Sequence, residues 1–236
     1  MSRNPTLGAH PAAVPVVYLV DDDAQVLRAY ARLLREHGFA TATFESSEAF
    51  LEQYDATRPG CLILDVNLPG LDGLALQRRL LEVGALPIVF LTGHGDVPTS
   101  VQAIKAGAED FLLKPVSGDV LVAAVRTALA HDAATRRDSS RDALLRQRLA
   151  GLSAREREVL QRLAAGKLNK QIAGELGIAE ATVKFHRSRL MERMQAQTVA
   201  ELMHFAARLD LTAPASSATV PAAMPVPTAA PEPLRA

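Results

Sequence analysis

A parallel α/β domain followed by a small all-helical domain is the fold this 236-residue sequence predicts. Three observations carry that prediction. Short apolar runs at 14–20, 61–64, 88–91 and 111–113 each lead into an acid, a threonine or a lysine, as strands buried on both faces do when they bring polar groups to one sheet edge. Helical stretches alternate with these runs up to residue 130, the signature of a parallel sheet covered by helices on both faces. Beyond residue 151 the strand pattern stops, and only helical periodicity punctuated by turn residues remains.

The first strand ends at Asp21-Asp22, and the helix at 24–37 carries Val26, Leu27, Tyr30, Leu33 and Leu34 before stopping at Gly38. A short strand at 41–44 precedes a helix at 46–54 capped by Ser46. Cys61-Leu62-Ile63-Leu64 forms the third strand and Asp65 ends it; the next helix starts after Asp72-Gly73. The fourth strand, Ile88 through Leu91, leads into Thr92, and a helix at 97–106 stops at Gly107. Phe111-Leu112-Leu113 leads into Lys114, and a helix at 118–130 completes five strands and five helices.

The second domain opens at Ser153, which with Glu156 three residues on has the form of a capping box. Val159, Leu160, Leu163 and Ala164 recur at helical spacing up to Gly166. Asn169 opens a second helix with Ile172, Ala173 and Leu176, ended by Gly177, and Ile178-Ala179 makes the turn. A third helix at 180–194 has Val183, His186, Leu190 and Met194 on one stripe, leaving Lys184, Arg187, Ser188 and Arg189 to the outside. Thr198 caps a fourth helix at 199–209. A short helix, a Gly-containing turn and a basic helix form a helix-turn-helix, whose second helix enters the DNA major groove.

Outside these domains the composition predicts a disordered lead at 1–13, a solvated and partly helical linker at 131–150, and a disordered Ala/Pro-rich tail at 211–236. The formal net charge is zero, but it is unevenly spread. Residues 14–130 hold 15 acids against 9 bases, whereas 151–210 hold 10 bases against 7 acids, so the second domain is the one expected to meet a polyanion. The single cysteine, Cys61, excludes an intramolecular disulfide and reads as a buried small hydrophobe. No apolar run is long enough to span a bilayer, and a soluble cytoplasmic protein without a membrane partner is expected.

Parallel strands would bring Asp21, Asp22, Asp65, Thr92 and Lys114 to one edge. Two carboxylates ~4 Å apart repel by ~4 kcal/mol at an effective dielectric of ~20, so this cluster needs a cation. A divalent metal with hard oxygen ligands suits it, and Lys114 supplies a second positive charge. Asp65 could then attack phosphorus in line while the metal, Lys114 and the Thr92 hydroxyl bind the phosphoryl oxygens. A single Asp after a strand is most often a turn or cap residue; the convergence of four strand ends argues for a site.

The order Asp21-Asp22, Asp65, Thr92, Lys114-Pro115 resembles the receiver domain of two-component response regulators over residues 14–130, and His94-Gly95-Asp96-Val97-Pro98 resembles its FixJ-type branch. The resemblance implies a five-stranded, flavodoxin-like (βα)5 domain in which a sensor histidine kinase phosphorylates Asp65. It also implies that Asp22, Asp65 and the backbone carbonyl of Asn67 ligate Mg2+, with Asp21 acting through bound water. Thr92 and Phe111 correspond to the family's switch pair, Lys114-Pro115 to its cis peptide, and Asn67 and His94 to positions that affect the lifetime of the phosphorylated state. Residues 152–209 resemble the LuxR/NarL-type output domain through Leu152-Ser153, Arg155-Glu156, Asn169-Lys170-Gln171-Ile172-Ala173 and Thr182-Val183-Lys184-Phe185-His186. There the resemblance makes Lys184, His186, Arg187 and Arg189 candidates for bases or phosphates, with Thr182 at the head of the same helix. Val183 is a candidate for a base edge, and Lys167, Asn169 and Lys170 for the DNA backbone.

These readings converge on a phosphorylation-controlled DNA-binding transcription regulator rather than an enzyme. Its expected partners are a histidine kinase, promoter DNA and, once phosphorylated, a second copy, with RNA polymerase left open. A metal-dependent phosphohydrolase using Asp65 as nucleophile is the rival; it would leave the helix-turn-helix idle, and nothing resembles a substrate cap. A phosphorylation-independent docking module is disfavoured by the complete Asp, Thr and Lys set.

Overall fold

The structure, a computed structural model, describes residues 13–84, 86–93 and 97–209. The tail at 211–236, His94 and all of the lead except Ala13 lie outside the described residues.

Strands β1 (Val16–Val20), β2 (Ala40–Phe44), β3 (Gly60–Leu64), β4 (Ile88–Thr92) and β5 (Asp110–Leu113) form one sheet in the order β2-β1-β3-β4-β5. Every pairing is parallel, with Val20 opposite both Phe44 and Leu64. The intervening helices are α1 (Ala24–Glu36), α2 (Ser47–Gln53), α3 (Gly73–Val83), α4 (Val97–Lys105) and α5 (Gly118–Ala150).

Side chains alternate along each strand, so neighbouring residues serve opposite faces. Val16, Tyr18, Val20, Leu62, Leu64, Ile88 and Phe90 pack with Phe50 of α2, Leu76 and Leu80 of α3 and Ala103 of α4. Val17, Leu19, Cys61, Ile63, Val89 and Leu91 pack with Leu27, Ala31 and Leu34 of α1 and with Leu121, Val125 and Ala128 of α5. Burial pushes the Cys61 thiol up to about 12, which leaves it unreactive at neutral pH.

The stretch 131–150, expected to be partly helical, is helical throughout, because α5 runs unbroken through it. The chain divides into two compact units between Ser140 and Arg141, within this helix. On the side of the first unit, Asp132 is only 4% exposed and accepts the Gly60 N–H at 3.0 Å. Arg136 pairs with Asp132 at 2.8 Å and donates to the carbonyls of Ala56, Thr57 and Arg58. On the other side Leu145 is buried in the second core. Charged side chains thus hold a stretch of polar composition as ordered helix.

The second unit adds α6 (Ala154–Ala164), α7 (Asn169–Leu176), α8 (Glu180–Met194) and α9 (Val199–Arg208). The capping box is present: Ser153 Oγ accepts the Glu156 N–H at 3.2 Å and a Glu156 carboxylate oxygen accepts the Ser153 N–H at 2.8 Å. Val159, Leu160, Ile172, Val183, Leu190, Met194 and Leu202 meet in one core that fixes α8 against its neighbours.

Candidate functional site

The carboxyl edge of the sheet gathers the expected acids. The parallel ladders are extended by the Asp21 N–H to the Phe44 carbonyl and the Asp65 N–H to the Val20 carbonyl, so both acids stand at adjacent strand ends. Carboxylate oxygens of Asp21, Asp22 and Asp65 lie within 4.8 Å of one another. Asp21 and Asp65 are buried, whereas Asp22 faces solvent. From β5, the Lys114 ammonium reaches Asp21 Oδ2 at 2.5 Å and Asp65 Oδ2 at 2.7 Å. Its backbone is placed by the Lys114 N–H donating to the Thr92 carbonyl, and the Lys114-Pro115 peptide is cis.

The remaining carboxylate oxygens accept backbone donors, Asp23 N–H on Asp21 at 3.0 Å and Asn67 N–H on Asp65 at 3.2 Å. Burial would lower the Lys114 ammonium, but its hydrogen bonds and charge contacts with Asp21 and Asp65 outweigh that and hold it above the ordinary lysine value. Burial nevertheless pushes the Asp21 carboxyl up against the pull of Lys114. One ammonium therefore leaves the acid cluster short of positive charge. Three oxygen donors around a solvent-facing mouth fit a hard divalent cation of the Mg2+ type.

Thr92 is fully buried at the end of β4. Phe111 is half-buried, its ring 5.9 Å from that of Phe90. A further residue at this edge escaped the sequence reading. A Cβ on Gly73 would fall 2.2 Å from the Asp65 carbonyl oxygen, so glycine is what allows α3 to start against the strand end that carries Asp65. The signal was the Asp72-Gly73 pair, read only as a helix start.

In the second unit α8 presents Lys184, Phe185, Ser188 and Arg189 to solvent. Lys184 pairs with Glu180 at 3.4 Å, and Arg189 with Glu192 at 3.3 Å while lying 5.8 Å over the Phe185 ring. Arg187 is half-buried and donates to Asn169 Oδ1 at 3.4 Å, linking α8 to the start of α7. Lys167 pairs with Glu175, Lys170 is exposed, and Thr182 and His186 are partly covered. Val183 does not fit a base-edge role: it is 0% exposed and belongs to the core, because its place on the stripe with Leu190 and Met194 turns it inward. The large apolar side chain that α8 exposes is instead Phe185, 57% exposed. Its position off the apolar stripe could have revealed it.

Comparison with known proteins agrees with both halves. The response regulator receiver domain model matches residues 17–126, and the bacterial regulatory protein luxR family model matches residues 150–206. The response regulator protein TodT of Pseudomonas putida is 43% identical over 82% of this chain and 86% of its own length. The transcriptional regulatory protein FixJ of Azorhizobium caulinodans is 41% identical over 89% of this chain and 99% of its own. Among solved structures, response regulator StyR shares 42% identity with a TM-score of 0.75, covering 83% of this chain and all of its own. The sheet, the acid edge, the helix-turn-helix and these relatives together place the chain among the transcriptional response regulators, with a receiver domain and a LuxR-type DNA-binding domain.

Proposed function

We propose that Asp65 is the phosphoacceptor and that its phosphorylation switches operator binding by α8. The observation that carries this reading is the convergence of Asp21, Asp22, Asp65 and Lys114 on one edge, with Thr92 ending the neighbouring strand. An Asp65 oxygen attacks the phosphorus of a kinase phosphohistidine; the P–N bond breaks and its electron pair returns to the imidazole. Lys114, which is hydrogen-bonded to Asp65, would bind a phosphoryl oxygen in this reading. Asp22, Asp65 and the Asn67 carbonyl would hold Mg2+, with Asp21 acting through water. When bound there, Mg2+ neutralises charge on the phosphoryl oxygens.

The acyl phosphate places a dianion beside Thr92 and Lys114. Thr92 turns its hydroxyl inward and Phe111 follows into the vacated space, a change in packing biased by local charge. The surface that responds carries Val97, Val101 and Ile104 of α4, Leu113 of β5 and Val120 of α5, all exposed apolar side chains. Such a patch favours pairing with a second copy, and a dimer joins two helix-turn-helix contacts through effective concentration. Lys184, Arg189 and Phe185 would then meet the groove, with Lys167, Lys170 and Arg187 along its rim. The kinase, promoter DNA and a cytoplasmic setting follow from the same reading.

The test is labelling by acetyl phosphate in Mg2+. The wild-type chain should gain one phosphoryl group in Mg2+ and none when EDTA is present during the reaction, and Asp65→Asn should gain none in either. Undiminished labelling of Asp65→Asn would sink the assignment.

A further inference from the structure

Glu48 lies in the first turn of α2, where a carboxylate is ordinarily explained by the helix N-terminus. Here it has another partner. Glu48 Oε1 accepts the Leu71 N–H at 3.1 Å, across 23 residues of sequence. The contact reaches the loop that leaves Asp65 and runs through Asn67 to the Asp72 cap of α3.

Strand order gives the contact its significance. β1, which carries Asp21 and Asp22 at its end, lies between β2 and β3. Helix α2 follows β2, and the Asn67-bearing loop follows β3. The Glu48–Leu71 hydrogen bond therefore joins the connections of the two strands that flank the acid-bearing strand. A second observation supports a fitted contact: a Cβ built on Gly70 would lie 3.0 Å from Glu48 Oε1, so the loop backbone closes directly on the carboxylate.

At its other end this loop is held by the Asn67 N–H on Asp65 and by the Gly73 N–H on the Val66 carbonyl. Leu68 is buried between these ties, whereas Asn67, Pro69 and Gly70 face solvent. The exposed part would otherwise be free to vary, since a solvent-facing loop without cross-links samples many conformations.

We infer that Glu48 is a positioning residue for phosphoryl transfer, fixing the Asp65–Asp72 loop so that the Asn67 carbonyl is preorganised toward Mg2+. This rests on the Mg2+ reading given above. A preorganised ligand binds metal more tightly because its ordering entropy is already spent before the ion arrives. Glu48 itself touches neither metal nor phosphoryl group.

The experiment compares wild-type full-length chain with Glu48→Ala and Glu48→Gln. Calorimetric titration measures Mg2+ binding without a phosphodonor, hydrogen exchange reports residues 66–72, and thermal unfolding monitors the fold. Glu48→Ala should weaken Mg2+ binding about 3- to 10-fold, the range given by losing one net hydrogen bond. It should also speed exchange across the loop, and Glu48→Gln, which keeps an acceptor oxygen, should restore both. Unchanged binding and exchange in Glu48→Ala overturn the inference, as does a Gln variant as impaired as Ala, which would assign the effect to charge. A wild-type chain that binds no Mg2+ overturns the metal reading itself, and with it the positioning role.

Discussion

Replacing Lys114 by methionine should expose the electrostatic cost of the acid edge. The ammonium touches Asp21 and Asp65 at 2.5 and 2.7 Å, and its loss leaves two carboxylates that are 5% and 7% exposed. Their ligand oxygens lie within 4.8 Å of each other. At that separation and an effective dielectric of ~20 the repulsion is about 3 kcal/mol. Removing one partner from a buried pair costs about 3–5 kcal/mol, and the opening toward Asp22 favours the lower figure. Receiver stability in EDTA at neutral pH should fall by about 3 kcal/mol, measured by urea unfolding. Excess Mg2+ should recover part of the loss, because a cation that binds only the folded acids stabilises that state. Stability within about 0.5 kcal/mol of wild type in EDTA, or an equal deficit with and without Mg2+, would refute the reasoning.

Three further outcomes follow. Val183→Ala should destabilise the output domain by about 1–3 kcal/mol through a core cavity, whereas Phe185→Ala should leave stability unchanged and weaken operator binding; chemical unfolding beside a DNA titration separates the two, and reversed effects would contradict the assignment. Arg136→Ala should cost the receiver about 2–4 kcal/mol, since it strands the buried Asp132 carboxylate and three loop carbonyls; urea unfolding reads it, and a loss near zero rejects the clamp. Burial alone would raise the Glu156 carboxyl, yet its hydrogen bonds with Ser153 and the charge of Arg193 outweigh that and hold it below its ordinary 4.5. Its stabilisation is thus present above about 4.5 and lost as pH falls through the lower folded value; hydrogen exchange at the start of α6 should show this loss in wild type and not in Glu156→Gln.

The acid edge was readable in the sequence because apolar runs ending in Asp, Thr or Lys have one efficient arrangement, a parallel sheet with aligned ends. Helix starts were equally plain where Ser46, Asp72, Ser153 and Thr198 supply side-chain caps. The full length of α5, beyond the partial helix expected at 131–150, was less legible for the opposite reason. Residues 131–150 carry few apolar positions, and the stretch is held by Asp132 and Arg136 reaching a distant loop, a pairing that no local pattern announces. Glu48 was invisible on the same ground, since its partner lies 23 residues away. Val183 and Phe185 lie two residues apart on a basic helix, and the apolar stripe separates them: Val183 falls on it with Leu190 and Met194 and is buried, whereas Phe185 falls off it and is exposed.

The most direct test of the switch is a titration of two-half-site operator DNA at fixed salt, with sedimentation in parallel, using wild type and Asp65→Asn before and after acetyl phosphate treatment. Phosphorylated wild type should bind more tightly and sediment as a dimer, while Asp65→Asn stays in the weak, monomeric state under both conditions. Equal affinity and an unchanged monomer for phosphorylated and unphosphorylated wild type would contradict the switch while leaving DNA binding intact.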